Sequence, residues 1–340
     1  MNRYEELVRG ALDETVVHSS TTYSWFRRRG PQLGREAEEA MTPEAARAFL
    51  VYSLQMQLYA DFYCRGAATP AAEEPGASWP MATGPSPLLL ALSAANSGRG
   101  SFEPNWTIRR FENARVVVER EGLNLWAKPE EVVAQNGGEL TSGSAVMVKM
   151  PKELLKLSPG FYMALGDRTL PSEGGETLVR FYWNLRPEGA CRLVGALTEA
   201  CNQAGLAFRL KVVNDPLRFS RCDAGVLYVR QAEYDAVAPI VARTCHELRG
   251  FLKPVTPVFA KHLAPGVGLA EEPGGGNSFG THRCYLLADG IVRGHERGLV
   301  SVDDRLKAVA ERFEEAGISL EKPYLNAGSD AEYAFPGGGG

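Results

Sequence analysis

FRLKVVNDPLRFSRCDAGVLYV, residues 208–229, contains two apolar runs, FRLKVV and GVLYV, that read as β-strands. On the first strand Arg209 and Lys211 face one way, and Leu210 and Val212 the other. A lysine set among Phe, Leu and Val either snorkels to water or changes its pKa. One that gives up its proton near neutral pH can act as a base. Arg218, Arg221, Asp223 and Tyr228 follow within the next 17 positions. Arginines there would help keep the lysine neutral and could grip a phosphate. The combination points to chemistry on a phosphorylated substrate. The plain alternative is a strand-edge lysine with its ammonium in water.

Outward from this block, ARVVVER, LNLWA, SAVMVKM, FYMAL and TLVRFYWNL read as further strands. EGACRLVGALTEACNQAG is an amphipathic helix ending at a glycine, and EYDAVAPIVARTCHELRGFL is the next helix. Residues 264–280 read as a Gly/Pro-rich loop, after which THRCYLLADGIVRGHE and SVDDRLKAVAERFEEAG form two closing helices. Strands and helices without strict βαβ alternation give an α+β fold, a mixed or antiparallel sheet core flanked by helices. Residues 1–66 read as a helical N-terminal region, with Thr42-Pro43 starting its second helix. Residues 67–100 read as a flexible linker and a short helix, residues 101–335 as the α+β domain, and PGGGG as a frayed tail.

The chain has 340 residues and a net charge of −4, which gives no support to nucleic-acid binding. The first residues lack the basic and apolar segments of a secretion signal, and no apolar run is long enough to span a membrane. Six scattered cysteines without a CxxC pair read as reduced thiols of a cytoplasmic protein. No HExxH, GxxxxGK[ST] or GxSxG motif is present, so neither a zinc site nor a nucleotide or hydrolase motif is expected.

Two more constellations carry polar chemistry. In RFYWNL, residues 180–185, Arg180, Tyr182 and Asn184 share one face of a strand. An ordinary half-exposed strand would carry the same residues. In SFGTHRC, residues 278–284, a glycine-rich loop opens into a helix whose backbone N–H groups suit an anion. His282 and Arg283 sit in that first turn, where a bare cation opposes the helix dipole. Lys149, in VMVKM, is a further strand lysine and a candidate phosphate ligand. Lys261-His262 read as surface, and Glu271-Glu272 as a solvated turn.

These stretches, with PGFYMALGD and LAPGVGLAEEPGGGNSFGTHRC, resemble the Hop-A family of type III effector domains over roughly residues 100–320. Members of that family in peptide-maturation gene clusters look like the lyase partner of a kinase. The resemblance therefore implies a phosphoserine/phosphothreonine lyase, a carbon–oxygen lyase that turns a phosphorylated precursor peptide into one with dehydroalanine or dehydrobutyrine, as in class V lanthipeptide or thioamitide biosynthesis. It is also distantly similar to bacterial effector phosphothreonine lyases, whose hallmark strand reads Asp-Lys-Phe-His-Ile-Ser-Val. Arg180 falls in the lysine position of that strand and Tyr182 in the histidine position, with Lys211 29 residues later in place of the base.

On this resemblance Lys211 takes the α-proton, Arg221 and Arg283 clamp the phosphate with Arg218 as a rival, and Arg180 relieves developing charge. Tyr182 replaces the family's acid histidine, leaving the proton donor open among Tyr182, His282 and Tyr228. The elimination needs no metal and no cofactor. Its partners would be the precursor peptide and a Ser/Thr kinase, which the N-terminal region and linker could dock. The competing expectation is a non-catalytic phosphopeptide- or kinase-binding adaptor that keeps the arginines without needing an unprotonated Lys211.

Overall fold

RYEELVRGALDE forms helix α1 (Arg3–Glu14) because its apolar residues fall on one side and Asn2 caps it, accepting from the backbone N–H groups of Tyr4 and Glu5. A computed structural model describes residues 2–67, 86–155, 157–170 and 176–336. The linker expected at 67–85 lies, except for Ala67, outside the described residues, as do residues 337–340 of the tail.

The N-terminal region is not purely helical, as its sequence suggested. A three-stranded antiparallel sheet, β1 (Thr15–Val17), β2 (Tyr23–Trp25) and β3 (Arg28–Arg29), interrupts it. Its β-branched and aromatic residues pair at once with their neighbours, too short a pattern to register as a strand period. Helices α2 (Arg35–Glu39) and α3 (Pro43–Gln57) follow. α3 starts as expected, with the Thr42 hydroxyl accepting from the Ala45 N–H at 3.2 Å and Pro43 in the first turn. It runs on into a π-helical segment, Leu58–Tyr63. The short helix α4 (Pro87–Ala95) comes next.

Strands β4 (Phe102–Glu112), β5 (Arg115–Arg120), β6 (Leu123–Ala127), β7 (Val132–Ala134) and β8 (Ala145–Lys149) form an antiparallel sheet in the order β6-β5-β4-β8-β7. This sheet has its own small core around Trp106, Ile108, Val116, Val118 and Val146.

The larger sheet is built from β9 (Glu153–Leu154), β10 (Phe161–Leu165), β11 (Leu178–Trp183), β12 (Phe208–Val213), β13 (Gly225–Arg230), β14 (Lys261–Ala264) and β15 (Val267–Glu271), in the order β14-β15-β11-β13-β12-β10-β9. All its neighbouring strands are antiparallel. Helix α5 (Ala190–Gln203) packs on β12 and α6 (Tyr234–Leu248) on β13. Leu193 of α5 presses against Gly225, which places these helices on the face that carries Trp183 and Val212.

The opposite face is covered by the π-helical segment and by α7 (Phe279–Glu296), which packs in turn on α8 (Val302–Glu315). Phe279 meets Tyr182 of β11 and Tyr63 of the π segment, each with ring centres 6.2 Å apart. Gly280 is needed there, because a Cβ would stand 2.4 Å from the Tyr63 ring. One apolar core runs from Tyr4 to Tyr333, so the N-terminal helices and the large sheet share an interior. The chain has an α+β fold.

Residues 264–280 are not all loop. Gly266, at φ +75°, turns a β14–β15 hairpin, and Val267, Gly268 and Leu269 continue as a strand against β11. Glu271-Glu272 are not a solvated turn either. Glu271 is fully buried, and Glu272 pairs with Arg180. Among the described residues no helix is long and apolar enough to cross a membrane.

Candidate functional site

Strand alternation sets the site. Pairing places Tyr182, Val226, Lys211 and Met163 on one rung of the sheet and Arg180, Tyr228, Arg209 and Leu165 on the next. All eight side chains rise from the same face, the one toward the π segment and α7. Arg209 and Lys211 are half-buried, while Leu210 and Val212 between and beyond them are fully buried on the other face.

The Lys211 ammonium lies 3.9 Å from the centre of the Phe161 ring, and the Arg221 guanidinium 5.1 Å from the same ring. Burial, and then the charge of Arg221, bring the Lys211 pKa down from 10.5 to about 8. Asp223 opposes the shift, and Arg180 and Arg218 add to it.

Arg221 is held on two sides. Its Nε and Nη2 donate to the two oxygens of Asp223 at 2.5 and 2.8 Å, and Nη2 also reaches the Tyr59 hydroxyl at 3.2 Å. Burial alone would raise the Asp223 carboxyl. Arg221 outweighs it and holds the carboxyl below the usual carboxylate range. Arg218 stands on the one-turn 3-10 helix Pro216–Arg218, which Asp215 starts by accepting from the Leu217 N–H at 3.0 Å. Burial, and then the nearness of Arg221, lower the Arg218 pKa.

Arg180, only 7% exposed, is ion-paired through Nε and Nη2 with Glu272 and lies over the Tyr228 ring at 5.0 Å. The Tyr182 hydroxyl is buried beside Arg180 and Tyr63 without a hydrogen bond of ordinary geometry among the described residues. Burial pushes this phenol up to about 12, against the pull of Arg180.

The structure thus brings together Lys211, Arg180, Tyr182, Tyr228, Arg218, Arg221 and Asp223. Of the four other residues singled out from the sequence, Lys149, Asn184 and His282 stand apart, whereas Arg283 lies over the Phe279 ring, close enough to feel Tyr182 and Tyr63, but is committed to other partners. Lys149 is exposed on β8, in the smaller sheet. Asn184 lies beyond the end of β11 and donates to the Val255 carbonyl at 2.8 Å.

Arg283 is fully buried and donates to the carbonyls of Pro323 and Leu325, both at 2.7 Å, and to His282 Nδ1 at 2.6 Å. Its guanidinium ties down the segment after α8, which removes the conflict with the helix dipole without any phosphate. The first turn of α7 is capped by Ser278, whose hydroxyl accepts from the Thr281 N–H at 3.3 Å. Burial, then Arg283 and Arg312, lower the His282 pKa to about 4, so the ring is neutral near pH 7.

Sequence reasoning missed Tyr59 and Tyr63, which the π-helical segment delivers to this face from about 150 residues before Lys211. It also missed Glu272, the partner of Arg180. Among the described residues no group of three or more His, Cys, Asp or Glu side chains is placed to hold a metal ion.

Among solved structures, an effector protein from Pseudomonas syringae pv. tomato strain DC3000 is similar over 86% of this chain and 93% of its own, at 15% identity and a TM-score of 0.44. The effector protein from Pseudomonas syringae pv. syringae strain 61 is similar over 96% and 99%, at 15% identity and a TM-score of 0.47. Comparison with curated proteins gives no match. The model of the HopA1 effector protein family matches residues 151–325, from β9 to the segment after α8. That match takes in just over half of the 340 residues, Lys211 and its arginines included, and the chain belongs to the HopA1 effector protein family.

Proposed function

We propose that the protein is a phosphoserine/phosphothreonine lyase that eliminates phosphate from a phosphorylated precursor peptide, leaving dehydroalanine or dehydrobutyrine. The observation that carries this reading is Lys211, half-buried among apolar residues, ringed by arginines and brought to a pKa of about 8. Such a lysine is neutral in about one molecule in ten at pH 7, far more often than an ordinary lysine, and its neutral form can take a carbon-bound proton.

In the proposed step, Lys211 Nζ removes the α-proton. The electron pair forms the Cα=Cβ double bond, the Cβ–O bond breaks, and phosphate departs with that bond's electrons. Arg221 and Arg218 face the phosphate, and Arg180 stabilises charge on the peptide carbonyl or the leaving group. Of the three candidate proton donors, Tyr182 suits the role best. Its phenol stays protonated near pH 7 and shares the face of Lys211, whereas His282 is neutral and already accepts from Arg283. The substrate is made by a Ser/Thr kinase, in the maturation of a ribosomally made peptide.

A second reading is a phosphopeptide- or kinase-binding adaptor without catalysis. It is favoured by the ion pairs Arg180–Glu272 and Arg221–Asp223, which already neutralise two of the cations. Mass spectrometry of a phosphothreonine peptide after incubation separates the two readings. Loss of phosphoric acid to leave an alkene supports the lyase, provided Lys211→Ala abolishes it. Loss of the phosphoryl group alone means hydrolysis, and an unchanged, bound peptide means the adaptor.

A further inference from the structure

Between the two large sheets lies a cavity of about 190 Å³ that touches the candidate site but belongs to none of its polar machinery. Its walls are mainly apolar, Met150, Leu154, Leu157, Met163 and Leu165 among them, with Glu103, Arg168 and Arg209 as the charged members.

Three observations say what it holds. The first is position. Met163 pairs directly with Lys211, and Leu165 with Arg209, so the cavity begins one strand away from Lys211 on the same face. Neighbouring strands lie about 4.8 Å apart. The second is size. An apolar cavity of about 150 Å³ takes a benzene ring, whereas pockets for drug-sized ligands run to about 300–1,000 Å³. One side chain fits, and an organic cofactor does not. The third is chemistry. Two methionines give an adaptable apolar lining, while Arg168 and Arg209 outnumber Glu103 among its charged members and Lys211 lies one strand away, which favours a ligand that is anionic nearby.

We propose that this cavity is a specificity subsite for one apolar side chain, of the size of Leu or Phe, within two positions of the phosphorylated residue in the peptide substrate. The proposal rests on reading the Lys211 face as the phosphopeptide site. An extended peptide rises about 3.3 Å per residue and puts alternate side chains on one side. A phosphothreonine at Lys211 therefore places its second neighbour about 7 Å away, the reach of the Met163–Leu165 wall.

The test compares fluorescent phosphothreonine peptides carrying Leu, Ala or Asp two residues to either side of the phosphothreonine, with unphosphorylated controls. Binding is read by fluorescence anisotropy and elimination by mass spectrometry. The variants are Leu157→Asp, on the 64% exposed rim where folding tolerates it, and the conservative Leu157→Met. The expected result is about tenfold tighter binding of the Leu peptide than of the Ala peptide by the wild type. Leu157→Asp should lose that preference with kcat little changed, and Leu157→Met should restore it.

A wild type indifferent to the flanking residue overturns the proposal. So does a preference that survives Leu157→Asp, or one of equal size in the unphosphorylated peptides. Elimination without any preference removes the subsite alone. A preference abolished by Leu157→Asp, with no peptide losing phosphate, removes the lyase reading and leaves the subsite standing.

Discussion

Lys211 and Phe161 form a cation–π pair, the ammonium 3.9 Å from the ring centre, in a setting that otherwise works against a charged lysine. The ring favours the protonated form by about 0.5–2 kcal/mol, or roughly 0.4–1.5 pKa units. Burial and three arginines pull the other way and win, since the pKa still comes down to about 8. Phe161 thus acts as a brake on deprotonation, and that sets the first prediction. If Lys211 is the base, elimination rises about tenfold per pH unit below pH 8 and levels off above it. Phe161→Leu moves the bend of this profile to lower pH, by about 0.4–1.5 units. A kcat/KM–pH profile of both proteins checks it.

Lys211 also has a cost in stability. Its folded pKa of about 8 lies below its usual 10.5, so between these values the unfolded chain binds more protons. Stability from this group therefore rises with pH across that window and is lowest below it. Lys211→Met should abolish elimination and raise Tm at pH 7, about 1–2 °C for each kcal/mol recovered in a chain of 340 residues. Thermal unfolding at pH 7 and pH 10 reads the effect, which should shrink at the higher pH.

Glu272 competes with any anion for Arg180. Glu272→Gln should lower Tm in phosphate-free buffer, by the equivalent of about 3–5 kcal/mol if the guanidinium is left buried and unpaired. Added phosphate should recover much of that loss, and phosphate should bind several-fold more tightly than to the wild type. Calorimetric titration with inorganic phosphate measures the change.

Asp223 does the same for Arg221, and it also raises the Lys211 pKa. Asp223→Asn should destabilise by about 3–5 kcal/mol and shift the activity profile below pH 8. In the wild type the Asp223 carboxyl sits below its unfolded value, so its contribution is complete above about pH 4 and is lost as pH falls through the folded pKa. Acid unfolding of the two proteins should differ most at neutral pH and converge in acid.

Arg283 is predicted to be structural. Arg283→Met leaves the carbonyls of Pro323 and Leu325 without their buried donor, at about 1–3 kcal/mol each. Tm should fall while phosphate affinity of the folded protein stays within about twofold. A loss of phosphate binding at unchanged Tm would restore this arginine to the clamp that the family resemblance implied.

The strands and the Lys211 face were legible because period-2 alternation survives in FRLKVV and RFYWNL whatever they pack against. The arginines after Lys211 were legible because they lie on the short connection to the next strand of the same sheet. Tyr59 was not, since nothing local separates an α from a π turn in LYADFY, and its partner Arg221 is 162 residues away. Glu271 and Glu272 were hidden because EEPGGGN has turn composition. Donors on the later segment, Asn326, Ser329 and Tyr333, together with Gln231, explain how a carboxylate can be buried there.

Those donors impose an order on events at the ribosome. Glu271 is synthesised 62 residues before Tyr333. At roughly 5–20 residues per second the wait is about 3–12 s. Throughout it the β15 carboxylate has Gln231 but lacks its three later donors, which disfavours burial of the strand beside Arg180. The candidate site is therefore among the last parts of the protein to take shape, and a nascent chain bearing Lys211 already exposed to the cell has not yet acquired its chemistry.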